Sequence, residues 1–454
     1  MRKGEIEKEV IERVTPTKEY KNKIDKIVDE IKNKLEKEVE KRKIPVAIEL
    51  VGSIAKDTYL MDNMDIDFFL VFPTDYKKEK IAKNAISIGN KILTKTEESY
   101  AEHPYLRGFY KNVNVEIVPC YKIEKASQKL SAVDRTPLHT KYVKENLKEK
   151  QKTEVLLFKQ FLKGIGCYGA EAQIEGFSGY LCEILVMYYG SFNKLIENAK
   201  NWKNGIKLSI KKGKYQSFDT PLTFIDPVDS DRNVSSALSK EKFDLFIRAC
   251  KDYTKKPSIT FFFPNKINPW SIKKIIDTIK KQKCKYIGVK FEKPDIIDEN
   301  LYPQIRKSAR SIYESGNRYG FNIKDVSFHI DESDKYILLV IKTSHEPLPK
   351  TFVHIGPPLK IKKNTEEFLN KWKENERVTK KPYEKNGRLY VELKREYTKI
   401  EEFLKDEVKN LSMGKHLDPI VDKKYKIIEL DNMLTKDLAM FWTEYLDNKK
   451  SWER

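Results

Sequence analysis

Two aspartates in an apolar run, Asp65-Ile66-Asp67-Phe68-Phe69-Leu70-Val71-Phe72, are where this chain could do chemistry. The run reads as a β-strand, and side chains two apart leave a strand on the same face. Two carboxylates on one face of a buried strand repel each other and lose hydration; a divalent cation relieves both penalties. A solvated strand face would also tolerate the pair, but the apolar residues that follow argue for burial. Just upstream, Val51-Gly52-Ser53 offers a turn whose N–H groups and hydroxyl suit phosphate oxygens, although Ser53 would serve equally to close a tight turn. Val113-Asn114-Val115-Glu116-Ile117-Val118 adds a third acid, Glu116, in another apolar strand, where on its own it would pair with a lysine. Acids that hold a cation beside a turn that holds phosphate form the apparatus of nucleotidyl transfer.

The elements that position these residues follow from periodicity. Ile24, Ile27, Val28, Ile31, Leu35 and Val39 make one helical stripe within 17–42. Strands are expected at 46–51, 65–72 and 113–118, with a helix over 79–95, giving a mixed α/β domain over 1–145. A helical region, 146–257, follows, with helices at 153–163, 191–200 and 240–253. Within it Ser178 caps an apolar helix to Tyr189 that reads as core and nothing more. From 258 a strand (258–263), a helix (268–282), a strand (286–291), a helix (298–316) and two strands (326–330 and 336–341) suggest a ferredoxin-like or RNA-recognition-type sheet. A charged extension over 345–454 carries helix signals at 364–376 and 399–410, and 258–454 is taken as body and tail.

The chain has 454 residues, 34% charged and 39% hydrophobic, and a formal net charge of +20. That excess of Lys and Arg favours a polyanionic partner, nucleic acid more than membrane, and leaves enough apolar residues to exclude disorder. The longest apolar run, Tyr180 to Tyr189, contains Glu183 and is too short to span a bilayer. The first residues, Met1-Arg2-Lys3-Gly4-Glu5, lack the apolar core of a signal peptide. Cysteines at 120, 167, 182, 250 and 284 form no CxxC pair and the six histidines are scattered. Neither a zinc site nor a disulfide framework is expected, and reduced thiols point to the cytoplasm.

Further stretches extend the pattern: Tyr100-Ala101-Glu102-His103-Pro104-Tyr105, Asp134-Arg135-Thr136-Pro137-Leu138-His139 and Tyr168-Gly169-Ala170-Glu171. Gly176-Phe177-Ser178-Gly179-Tyr180-Leu181-Cys182-Glu183, Asp226-Pro227-Val228-Asp229 and Arg232-Asn233-Val234 follow. With Gly-Ser and the spaced acids, they make the chain resemble the archaeal (class I) CCA-adding enzymes, tRNA nucleotidyltransferases of the polymerase-β superfamily. The resemblance runs along the whole chain, strongest over 50–240 and thinner after 345.

The resemblance implies an α+β multidomain fold: a polymerase-β-like nucleotidyltransferase head, a helical neck, a ferredoxin/RRM-like body and an α/β tail. It implies that Asp65, Asp67 and Glu116 hold two Mg²⁺ ions. Gly52, Ser53 and Lys56 would meet the triphosphate, Thr136, His139, Lys159 and Tyr168 would complete the nucleotide pocket, and Arg232 would read the incoming base. CTP and ATP would be substrates, tRNA the partner, and the protein a homodimer. Read singly, His139 would be structural, Lys159 an exposed lysine, Tyr168 core and Arg232 a surface charge. Arg306 and Arg310 share a helix face that suits tRNA phosphates or plain solvent equally. This chain departs from the family at Lys56, where some relatives have Arg, and at Glu116, where the superfamily most often has Asp. The rival readings are a poly(A) or oligoadenylate polymerase on the same head and a catalytically inactive RNA-binding protein.

Overall fold

The expected stripe of Ile24, Ile27, Val28, Ile31, Leu35 and Val39 is buried along α2 (Lys18–Arg42), which follows α1 (Lys3–Val14). Thr17 caps α2 by accepting the Tyr20 N–H, and Lys43 ends it in a left-handed conformation. These observations come from a computed structural model that describes residues 3–62, 64–100, 104–331, 333, 335–344 and 347–454. Ala101, Glu102 and His103 of the Tyr100–Tyr105 stretch lie outside the described residues.

The stripe packs on a sheet built from β1 (Ala47–Val51), β2 (Asp65–Phe72), β3 (Thr94–Tyr100), β4 (Pro104–Tyr110) and β5 (Val113–Tyr121). Its order is β1-β2-β5-β4-β3, with β2 and β5 parallel and every other neighbour antiparallel. A single turn, α3 (Gly52–Ala55), joins β1 to β2, and α4 (Lys78–Gly89) follows β2. The helix expected over 79–95 therefore stops at Gly89. Its last residues open β3, whose sequence Thr-Lys-Thr-Glu-Glu-Ser-Tyr is that of a polar edge strand without apolar alternation.

The helical region comprises α5 (Thr136–Asn146), α6 (Glu149–Gly164), α7 (Gly179–Tyr189), α8 (Phe192–Ala199), a short parallel pair β6 (Ile206–Ser209) and β7 (Leu222–Ile225), and α9 (Lys240–Lys255). Ser178 does cap α7, accepting the Leu181 N–H. The core here is aromatic: Phe158, Phe161, Phe192, Phe246, Tyr253 and Phe261 meet at centroid distances of 5.2 to 6.5 Å. The strand expected at 258–263 is absent. Ile259–Phe261 is instead a turn of 3₁₀ helix that drives Phe261 and Phe262 into this core, where Phe261 also stacks on Trp452 at 5.3 Å. A short apolar run satisfies a strand and a buried plug equally, and periodicity does not separate them.

Chain packing separates two compact units, Met1–Lys266 with Lys449–Arg454, and Ile267–Asn448. The second unit holds α10 (Ile272–Gln282), β8 (Lys285–Glu292), α11 (Asp298–Arg318), β9 (Ile323–Ile330) and β10 (Tyr336–Thr343). After these come β11 (Thr351–Pro358), α12 (Lys362–Trp372), β12 (Val378–Lys385), β13 (Arg388–Lys394), α13 (Ile400–Glu407), α14 (Asp418–Lys423), β14 (Tyr425–Glu429) and α15 (Ala439–Leu446). Its main sheet runs β14-β8-β10-β9, antiparallel throughout, so the β-α-β-β-α-β order starts at Lys285 and closes with Tyr425–Glu429. The charged extension is thus not a simple tail. It supplies the closing strand and a separate sheet, β11-β13-β12. The five cysteines are free, and among the described residues no helix is long and apolar enough to cross a membrane.

Candidate active site

The parallel pairing of β2 with β5 sets Asp67 directly beside Glu116 and Asp65 beside Asn114. Because side chains alternate along each strand, Asp65, Asp67 and Glu116 leave the sheet on one face. Burial, then the charges of Glu116 and Asp65, push the Asp67 carboxyl up to about 8 against the pull of Lys56 and Arg107. Burial also raises Glu116, which Arg107 opposes from β4. That arginine donates from Nε to Glu116 Oε1 at 2.6 Å. Glu116 is therefore turned toward Arg107, and among the described residues no three His, Cys, Asp or Glu side chains gather as a finished metal cluster. The donor set still fits a divalent cation: three carboxylates share a face, and their mutual repulsion is what a cation would remove. A cleft of about 370 Å³ opens over this face, lined by Asp65, Glu97, Arg107, Asn114 and Glu116 among others.

The Gly-Ser turn packs against one of these acids, Asp67. Gly52 has φ +74°, and a Cβ there would lie 1.9 Å from Asp67 Oδ2. Ser53 is the second residue of α3, and its carbonyl accepts the Thr58 N–H at 3.0 Å.

Lys56, expected at the triphosphate, and Lys159, expected in the nucleotide pocket, are brought together by a residue with no expected role. Glu183 on α7 is fully buried (0% exposed) and accepts from Lys56 Nζ and from the Thr58 hydroxyl, each at 2.6 Å. Lys159, 1% exposed on α6, donates to the Thr58 carbonyl at 2.7 Å and stands 3.7 Å from Glu183. Burial raises the Glu183 carboxyl, but Lys56 and Lys159 outweigh it and hold the group ionised, below its usual range. Helix α7 is thus more than core, and Lys159 is not an exposed lysine. Tyr168 reaches the same place: a Cβ on Gly179 would sit 3.4 Å from its hydroxyl and 3.6 Å from Lys159 Nζ. Burial keeps that phenol protonated, and Asp65 is among the charges that reinforce it.

A second cluster gathers His139 and Arg232. Asp226, 2% exposed at the end of β7, takes His139 Nε2 at 2.8 Å and Arg232 Nη1 at 2.9 Å on Oδ2. On Oδ1 it accepts the Tyr180 hydroxyl at 3.1 Å and the Val228 N–H at 3.0 Å. Burial pushes Asp226 up, but the His139 hydrogen bond, the Val228 amide and Arg232 outweigh it and hold the carboxyl at about 2. Burial lowers His139, so the imidazole meets Asp226 as a neutral Nε2–H donor. Tyr180 stacks on the His139 ring, centroids 4.1 Å apart. Arg232 is therefore a partner of Asp226 and not a lone surface charge. Tyr180 and Glu183 sit three apart on α7, so the first turns of this helix serve both clusters. Thr136 opens α5 one turn before His139.

Arg306 and Arg310 belong to α11 of the second unit, where the Arg306 guanidinium lies 5.8 Å over the Tyr302 ring and Arg310 is exposed. Arg107, Thr58, Tyr180, Glu183 and Asp226 had no assigned role in the sequence. Two of them left a signal: Glu183 is the lone charge in an apolar helix, and Asp226 is followed by Pro227 in a turn.

Three family descriptions match the chain in order: nucleotidyltransferase domain over 28–139, tRNA nucleotidyltransferase second domain over 153–263, and CCA-adding enzyme C-terminal domain over 283–429. The CCA-adding enzyme of Archaeoglobus fulgidus is 33% identical over 444 residues, covering 97% of this chain and 98% of the relative. That of Methanosarcina mazei is 33% identical over 424 residues, 92% of each chain. That of Thermoplasma acidophilum is 38% identical over 413 residues, 90% of this chain and 91% of the relative.

Proposed function

The chain belongs to the archaeal CCA-adding enzyme family, and we propose that it builds and repairs the 3′-terminal CCA of tRNA from CTP and ATP by two-metal nucleotidyl transfer. The observation that carries this reading is the extent of the likeness. Relatives named for CCA addition match over nine-tenths or more of both chains, including a C-terminal domain that a nucleotidyltransferase head alone would not require. The same extent disfavours a poly(A) polymerase. The retained acid face, Asp65, Asp67 and Glu116, disfavours an inactive RNA-binding protein.

In the proposed reaction the tRNA 3′-oxygen attacks the α-phosphorus of the bound nucleotide, its proton departs, and pyrophosphate leaves. Asp65, Asp67 and Glu116 would hold Mg²⁺, which when bound activates the hydroxyl and offsets charge on the leaving pyrophosphate. Glu116 must turn from Arg107 to take part. The Gly52-Ser53 turn presents N–H groups and a hydroxyl to the triphosphate, and Lys56 and Lys159 supply positive charge beside it. Tyr168 and Thr136 complete the pocket wall. His139 and Arg232, both set by Asp226, would hold and read the base. Arg306 and Arg310 would meet tRNA phosphates. Family membership carries the expectation of a homodimer acting in the cytoplasm. Pyrophosphate release tests the reading. It should require CTP, Mg²⁺ and a tRNA ending before its CCA, and release without the tRNA would count against it.

A further inference from the structure

The two lysines proposed to contact the triphosphate do not stand free; one buried carboxylate pairs with both. Glu183 Oε2 accepts from Lys56 and Oε1 from the Thr58 hydroxyl, while Lys159 ties to the Thr58 carbonyl and approaches Oε1. Thr58 in turn closes the Ser53 turn through its N–H. Three separate elements meet at this one carboxylate: the turn after α3, helix α6 and helix α7. Two ammonium groups share a single carboxylate, which leaves one positive charge in surplus on the side where Lys56 also bears on Asp67. A buried ion group of this kind is costly unless its members are paired, and here every member has a partner within the group. Packing alone does not require it, since the neighbouring α7 positions Cys182, Ile184 and Leu185 are apolar and equally buried.

We infer that Glu183 is a positioning residue for nucleotidyl transfer: its carboxylate fixes Lys56, Lys159 and, through Thr58, the Ser53 turn in the geometry that grips the triphosphate. The inference rests on the proposed role of both lysines as triphosphate ligands. Glu183 touches no reacting atom. It acts by keeping two long, flexible side chains from exploring other rotamers, so that their charge stays aimed at the phosphates while the bond to the α-phosphorus changes. The surplus positive charge is the part offered to the nucleotide.

Steady-state kinetics of Glu183→Gln and Glu183→Asp on a tRNA ending before its CCA, with CTP varied, test this. Gln keeps the size of the side chain and removes its charge; Asp keeps the charge and shortens its reach. For both, kcat falls about 10- to 100-fold, since misplacement on the ångström scale costs that much. KM for CTP stays within about threefold, because the lysines remain present to bind the nucleotide. Combined with Lys56→Met, the Glu183→Gln loss is less than additive, as expected of residues that act through one another. If Glu183 is only a structural counter-ion, thermal stability falls while kcat per folded molecule matches the wild type, and the inference is overturned. Should Glu183→Gln not fold, Glu183→Asp decides the matter alone, and a wild-type kcat there overturns it. The wild-type control separates the two claims. No extension by wild-type enzyme removes the CCA reading and this inference with it, whereas wild-type extension with unimpaired variants removes only the role of Glu183.

Discussion

Gly52 and Asp67 approach so closely that a Cβ on Gly52 would lie 1.9 Å from Asp67 Oδ2. The glycine is needed twice at this point, for the positive φ of +74° and for the space the carboxylate occupies. The turn proposed to meet phosphate and the acid proposed to hold a cation are therefore packed against each other.

Gly52→Ala should accordingly strike activity harder than stability. The methyl must displace the Asp67 carboxylate, because the backbone beside it is fixed by the β1–β2 pairing of Val51 with Asp67. We expect a loss of about 100-fold or more in CTP addition, from misplacement of a metal-holding group, with a melting temperature lowered by the strain of a non-glycine residue at positive φ. Addition kinetics alongside thermal melts check this. Near-wild-type turnover would mean that Asp67 does not need its present position.

Asp67→Asn separates function from stability in the opposite sense. Asp65, Asp67 and Glu116 share a face and repel, so removing one charge relieves the fold. Without divalent cation at pH 8 the variant should melt higher than the wild type, and Mg²⁺ should narrow the gap by stabilising only the wild type. Its catalysis should be lost. Equal melting temperatures with and without Mg²⁺ in the wild type would argue against a cation at these acids.

Asp226 predicts a pH dependence of stability. Its carboxyl is held at about 2 in the fold, against an unfolded value of 3.8. A depressed acid stabilises the fold above its unfolded pKa, and that contribution fades as pH falls from near 4 toward 2. The difference corresponds to about 2 kcal/mol at neutral pH. Urea unfolding of wild type and Asp226→Asn should differ most at pH 5 and above, and the gap should shrink toward pH 3. A gap independent of pH would mean that the charge of Asp226 does not contribute.

Phe261→Ala tests the packing of the aromatic plug. Phe261 stacks against Phe161 and Trp452 and is 3% exposed, so truncation should cost about 3–5 kcal/mol in unfolding free energy. A loss below about 1 kcal/mol would mean that Phe261 does not pack in this core.

Much of the head was legible because its strands are buried and apolar: the stretch Asp65–Phe72 follows the expected bounds, and the α2 stripe is buried as its spacing predicts. Strand β3 was not, since its polar edge residues carry no alternation, and neither was β4, an inner strand whose apolar run is broken by Arg107 and Gly108. The body sheet was displaced because Ser258–Phe263 has strand composition but plugs a core, and because its closing strand comes after a long inserted sheet. Within the site, residue types and spacing pointed to the acids, whereas the lysines, His139 and Arg232 were singled out only by the family resemblance. The groups that orient them were hidden by distance along the chain. Glu183 pairs with Lys56 across 127 positions and Asp226 with His139 across 87, and no local pattern encodes either meeting.

The most direct test of the central claim reads product length at single-nucleotide resolution on a tRNA lacking its CCA, with purified protein and Mg²⁺. CTP alone should give two additions, and ATP supplied with CTP should give one further A and then stop. A long ladder of A with ATP alone would assign the head to a poly(A) polymerase, and no extension by protein that still binds the tRNA would contradict catalysis altogether.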